Sequence, residues 1–144
     1  MIKVVLDTNV LISAILSAKG TPAQILGLVR EDKIELLFST ATTQELWDVL
    51  HYQRIKDRLE KLKIPLSIAE EFLKGLIKAS TIVLVTKEVD VIKDDPSDNI
   101  FLACAVEGQA NFIISGDNHI KQLGQYQGIQ ILEPAAFLAL MKNL

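Results

Sequence analysis

Short β-branched apolar runs alternate with longer segments of helical periodicity along the whole chain, and this alternation constrains the fold more than any other feature. The runs IKVVL (2–6), ELLF (35–38), IVLV (82–85), FIIS (112–115) and IQIL (129–132) have the length and composition of strands. Several are apolar almost throughout rather than at every second residue. That pattern belongs to strands covered on both faces, as in a parallel sheet. Parallel strands need crossovers, and the intervening segments supply helices. TPAQILGLV offers Thr21 as an N-cap with Pro22 at the first helical position. SIAEEFLKGLI has Ser67 and Glu70 at capping-box spacing and one stripe of Ile68, Phe72, Leu73, Leu76 and Ile77. TTQELWDVL opens a long helix expected to run, with a bend, to about Lys63, and Pro134 begins a last helix in PAAFLALMKNL. The expectation is one domain over 1–144, a three-layer α/β/α sandwich with a mostly parallel five-stranded central sheet.

Composition narrows the function classes. Apolar residues make up 49% and charged residues 23% of the 144 positions, the balance of a globular chain with a sizeable core. A single cysteine, Cys104, forbids an internal disulfide and fits a reducing compartment; on its apolar helix it reads as core packing. The two histidines, His51 and His119, lie far apart, which argues against a zinc site of His/Cys type. The uncharged stretch from Thr8 to Ala18 is too short to cross a bilayer, so a cytoplasmic protein without membrane association is expected. A net charge of −3 is not that of a duplex-DNA reader.

The carboxylates carry the chemistry. Asp7 breaks two hydrophobic runs immediately after the first strand. Glu45 follows the second strand and is expected in the first turn of its helix. Asp94, Asp95 and Asp98 open the helix before the fourth strand, and Asp117 follows that strand. In open α/β folds ligands bind beyond the carboxyl ends of parallel strands, the edge where Asp7, Glu45, Asp98 and Asp117 would collect. Each acid also has a helix-capping reading: Glu45 in a box with Thr42, Asp95 before Pro96 with Asp98 third in the helix, Asp117 and Asp7 at the starts of following helices. Caps, however, would scatter over both ends of the sheet. Four acids at one end repel each other unless they take up protons or a cation, and a hard divalent ion such as Mg²⁺ or Mn²⁺ suits oxygen donors. Asn9 and Ser39 are positioned to support the ligands or their waters.

LDTNVLIS near the N-terminus, a Glu opening the helix after the second strand, DPSDNIFLACA before the fourth strand and FIISGDNHI at its end resemble the PIN-domain nucleases. The resemblance spans nearly the whole chain and is nearest to the small prokaryotic PIN proteins described as toxin components of toxin–antitoxin pairs. It implies a metal-dependent endoribonuclease acting on RNA, a homodimer and a cognate antitoxin partner. By motif match the acidic quartet falls on Asp7, Glu45, Asp98 and Asp117, with Asn9 supporting the first. Ser115 stands where Thr is common in that family.

An acidic cluster needs a basic partner to hold RNA. Arg54, Arg58 and Lys61 fall on one helical face, with Tyr52 or Trp47 available to stack a base. The alternative is a solvated face with Trp47 in the core or an interface. His119 reads as a surface residue or an RNA contact rather than a general base. Two other function classes compete. A non-catalytic PIN-like binding module would keep a structural or vestigial metal site. A phosphotransferase or dehalogenase-type phosphatase would need a second Asp after the nucleophile or a strand-end lysine, and the sequence supplies neither.

Overall fold

The computed structural model describes residues 1–143. Six strands, β1 (Ile2–Leu6), β2 (Ile34–Phe38), β3 (Thr81–Ile82), β4 (Phe112–Ile114), β5 (Gln125–Tyr126) and β6 (Ile129–Leu132), form one sheet in the order β3-β2-β1-β4-β6-β5. All neighbours are parallel except β5 and β6. Eight helices complete the described chain: α1 (Thr8–Leu16), α2 (Thr21–Arg30), α3 (Thr40–Leu50), α4 (Gln53–Lys61), α5 (Leu66–Lys78), α6 (Asn99–Glu107), α7 (Asn118–Lys121) and α8 (Pro134–Lys142). A 3₁₀ turn, Pro96–Asp98, precedes α6.

The near-continuous apolar strands are covered on both faces, as their composition demands. Val4, Leu6, Leu36, Phe38 and Ile114 face one layer, packing with buried residues of α1 to α5 and with Phe137 of α8. Val5, Leu37, Ile113 and Ile131 face the other, against α6, Ile120 of α7 and Ile92. The α/β/α layering follows directly from this alternation of covered faces.

Two strands differ from the expected five. The run at 82–85 pairs with β2 only through Thr81 and Ile82, and the Val83 amide adds one bond to the Phe38 carbonyl at 2.7 Å. The chain then leaves the sheet because Glu107, at the end of α6, accepts the amides of Thr86 and Lys87 at 3.0 and 3.2 Å; Leu84 is left 82% exposed. The sixth strand, β5, turns back onto β6 through Gln127 and Gly128. Both carry positive φ, the two-residue reverse turn of a tight hairpin. A two-residue strand beginning with Gln gives no periodicity to read.

Helix starts also shift. Gly20 is the N-cap of α2, and Thr21 is its first helical residue. Pro65 precedes α5, so Ser67 lies inside the helix and makes no cap, while Glu70 is drawn away to His51. The long helix expected over 42–63 is two, α3 and α4, separated at His51 and Tyr52. No single helix among the described residues is long and apolar enough to cross a membrane. The pair α1 and α2 reaches that length only with a 95° bend between its members.

His51 ties the end of α3 to α5. Its Nδ1 lies 2.7 Å from the Trp47 carbonyl and its Nε2 2.7 Å from Glu70 Oε2. Both partners are acceptors, so the doubly protonated ring satisfies both. The Trp47 carbonyl, and then the Glu70 carboxylate, hold the His51 pKa above its ordinary value. A raised folded pKa means that this stabilisation is complete below about pH 6.5 and is lost as pH rises through the folded value. Glu70→Gln is therefore expected to shrink the stability difference between about pH 6 and pH 8. The change should stay below about 1 kcal/mol, because the two side chains are 30% and 28% exposed. Urea melts of both proteins at the two pH values would read it.

Candidate metal centre

The sheet reverses direction of growth at β1. The chain adds β2 on one side of β1 and later returns to add β4 on the other. This is the switch point at which a crevice opens beyond the carboxyl ends of the strands. The crevice is a cleft of about 200 Å³ lined by Asp7, Glu45, Asp95, Asp98 and Asp117, with Asn9, Tyr52 and Arg54 at its walls.

Asp7 leaves β1 and caps α1 in one step. Its Oδ1 accepts the Val10 amide at 2.8 Å, and its Oδ2 accepts the hydroxyl of Ser115. Cap and cleft are thus not alternatives: a carboxylate has lone pairs left after two hydrogen bonds. Asp7 is 3% exposed, and burial raises its pKa. The Ser115 and Val10 hydrogen bonds oppose the shift, and the charges of Asp117 and Glu45 add to it.

Asp98 ends the 3₁₀ turn at the start of α6. It is 9% exposed, and its buried Oδ2 has no hydrogen-bond partner among the described residues. Burial, followed by the charges of Asp117, Asp95, Asp7 and Glu45, pushes its pKa up to about 7. Its placement rests on the neighbouring Asn99. The Asn99 Oδ1 accepts the amides of Val91 and Ile92, and its Nδ2 donates to the carbonyls of Ile92 and Pro96. That one side chain fastens the irregular segment before the turn. The sequence does not announce Asn99 as a fastening residue, since its only signal is a polar residue opening an otherwise apolar helix.

Glu45 sits in the second turn of α3, not the first, because the helix starts at Thr40. The capping box is Ser39 with Thr42, and Glu45 is free of it. Its Oε2 accepts instead from the Thr8 hydroxyl at 2.5 Å. Ser39 is 2% exposed at that cap and is not among the residues lining the cleft. Asp95 makes no side-chain cap; it accepts from the Ser97 hydroxyl and faces the cleft. Asp117 caps α7, its Oδ1 accepting the amides of His119 and Ile120 at 2.8 and 3.3 Å.

Ser115, fully buried, joins two of these acids. It donates to Asp7 and accepts the Asp117 amide at 2.9 Å. Ser115→Ala leaves that amide and one Asp7 oxygen without partners, and is expected to cost about 1–3 kcal/mol in urea melts.

The basic residues separate. Arg54 lines the cleft, its guanidinium carbon 5.5 Å from the Tyr52 ring centroid. Arg58 and Lys61 are exposed on α4 but do not line it. Trp47 packs on His51, ring centroids 4.7 Å apart, with Lys74 of α5 above it, and is not a cleft residue. His119 does come to the acids: one of its ring nitrogens and carboxylate oxygens of Asp95 and Asp98 all lie within 4.8 Å of one another.

A parallel α/β/α domain with carboxylates gathered at its switch point defines an acid-cluster class whose donors suit a hard divalent cation. The chain belongs to the PIN domain family, whose model matches residues 3–119. It is 32% identical over 122 residues to an uncharacterized protein, MJ1680, of Methanocaldococcus jannaschii, covering 85% of this chain and 75% of that one. The fold is similar to that of PAE2754 from Pyrobaculum aerophilum, with a TM-score of 0.62 at 13% identity over 99% of this chain and 91% of the other. It is also similar to a chain of the VapBC2 complex of Rickettsia felis bound to a DNA fragment from its promoter. There the TM-score is 0.55 at 15% identity, over 92% and 98% of the two chains. PIN domains are generally metal-dependent nucleases, and the clustered acids here accord with that role.

Proposed function

We propose that this chain, acting as one domain, is a Mg²⁺- or Mn²⁺-dependent endoribonuclease whose site is Asp7, Glu45, Asp98 and Asp117. The observation that carries the reading is Asp98: a buried carboxyl with an unpartnered oxygen, in a cleft lined by four further acids. Without a cation, burial and the surrounding charges raise the pKa of such a group and favour its protonated form. Oxygen donors in this number fit a hard divalent ion, with Asp7 and Asp98 as the buried ligands and Glu45 and Asp117 completing the set.

A bound ion would supply charge stabilisation and a more acidic water for attack on the phosphodiester. The chain's own residues set the geometry. Val10 and Ser115 hold the two oxygens of Asp7, Thr8 holds Glu45, and the start of α7 holds Asp117. Asn9, exposed on the cleft wall, is in reach of solvent there. Arg54 at the mouth offsets the repulsion between these acids and an RNA backbone, and Tyr52, 48% exposed, offers a face for a base. Arg58 and Lys61 would extend the basic track along α4. The similarity to the Rickettsia felis complex supports an antitoxin as a protein partner. An apolar groove containing Ile15, Leu26, Ile68 and Phe72 offers a surface for that partner or for a second copy.

The test is cleavage of a mixed RNA pool, with transfer RNA and messenger fragments, by wild type and Asp98→Asn purified identically. Cleavage that requires Mg²⁺ or Mn²⁺, stops with chelator and is absent in the variant is expected. Equal cleavage by both proteins would mark a contaminant and overturn the assignment of the site. No cleavage by either, with divalent binding intact, would favour the binding module.

A further inference from the structure

Beside the acidic quartet, Asp95, Asp98 and His119 converge from the 3₁₀ turn and from α7, with one potential ligand atom of each within 4.8 Å of the others. Two buried atoms in this group lack partners among the described residues: Asp98 Oδ2 and His119 Nδ1. The acceptor paired with Nδ1 is Asp117 Oδ1, but at 3.6 Å it lies outside hydrogen-bond range. That oxygen already accepts the His119 and Ile120 amides. The His119 ring is 41% exposed overall, so the orphaned nitrogen is the end that points inward. A buried polar atom without a partner calls for a water or an ion. Two donors on one first-row ion stand at most about 4.2 Å apart, twice a bond of about 2.1 Å, so small side-chain rotations suffice to close the group.

We propose that Asp95, Asp98 and His119 form a mixed oxygen–nitrogen cation site at the edge of the cleft, selective for borderline first-row ions over Mg²⁺. The imidazole is the element that discriminates: carboxylate sites accept Mg²⁺ and Mn²⁺ alike, whereas a nitrogen donor favours Mn²⁺, Co²⁺ and Zn²⁺ in rising order. The site deepens the nuclease reading and shares Asp98 with it, but its ligand set extends to two residues outside the quartet. Asp117 acts on it as a positioning residue, since its Oδ1 fixes the amide of His119. The segment bearing Asp95 is fastened by Asn99 through the Pro96 carbonyl.

The experiment uses Zn²⁺ and Mg²⁺ as probes on the full chain, wild type against His119→Ala and Asp95→Asn, followed by calorimetry and by ¹⁵N spectra of the imidazoles. The chain has two histidines, so His51 serves as an internal control. Zn²⁺ affinity is expected to fall about tenfold or more in each variant, and Mg²⁺ affinity by less than about threefold. The ring-nitrogen resonances of His119 should shift with Zn²⁺ and not with Mg²⁺, while those of His51 stay still. Unchanged Zn²⁺ affinity in His119→Ala, or an unmoved His119 resonance at saturation, would overturn the site. RNA cleavage distinguishes the two proposals. This binding pattern without cleavage overturns the nuclease and leaves the site standing. Metal-dependent cleavage with unaltered Zn²⁺ binding in both variants does the reverse.

Discussion

Asp98→Asn is expected to be more stable than wild type without metal, by about 1–3 kcal/mol near pH 8, and to lose the extra stabilisation that Mn²⁺ gives the parent. The gain comes from removing a charge that is costly where it stands. Asp98 is 9% exposed, one oxygen is unpartnered, and Asp7, Glu45, Asp95 and Asp117 all act on it with the same sign. An amide of the same shape ends that repulsion and can donate to the acids around it. Metal-dependent cleavage should fall at least about a hundredfold, since loss of a mere supporting group can already cost that much. If Asp98 only served the start of α6, the variant would instead lose a few tenths of a kcal/mol and respond to Mn²⁺ as wild type does. That outcome would remove Asp98 from the metal centre.

The second large effect is the pH dependence of the metal-free protein. Asp98 titrates at about 7 in the folded chain against 3.8 for an unperturbed aspartate, and burial also raises Asp7. For a carboxyl with a raised folded pKa, the folded state binds the proton more tightly than the unfolded state. The cost is therefore greatest above pH 7 and is relieved as pH falls toward 3.8. Between about pH 8 and pH 5 the relief from Asp98 is on the order of 2–3 kcal/mol. Subtracting the urea-melt profile of Asp98→Asn from that of wild type isolates this slope from other groups, His51 included. With saturating Mn²⁺ the wild-type slope should reverse, because ligands must be ionised to bind. A metal-free difference profile that stays flat would mean that the acids do not sense one another.

The sheet is legible in the sequence because its strands are short, apolar on both faces and separated by helices, a pattern few folds produce. Its edges are not: β5 is two residues, and Leu84 looks like strand but lies where the Glu107 contacts pull the chain outward. The acids can be named one by one, yet their supports cannot. Ser115 meets Asp7 across a separation of 108 residues, which no local pattern encodes. The spacing of Thr42 and Glu45 suggests a capping box, but Thr42 instead completes the box of Ser39 because α3 starts at Thr40. His119 carries little weight as a lone histidine, since its inward-facing nitrogen becomes visible only when α7 is docked beside the 3₁₀ turn.

The bond between Ser115 and Asp7 spans the β1–β4 pair, and it has a consequence for synthesis. Asp7 leaves the ribosome before Ser115, and the cleft has no floor until β4 has emerged and settled beside β1. Until then Asp7 lacks both its Ser115 partner and the neighbouring charge of Asp117. Parallel pairing over so long a stretch of polypeptide is slow. The acids are therefore assembled only late in folding, after the two strands have met.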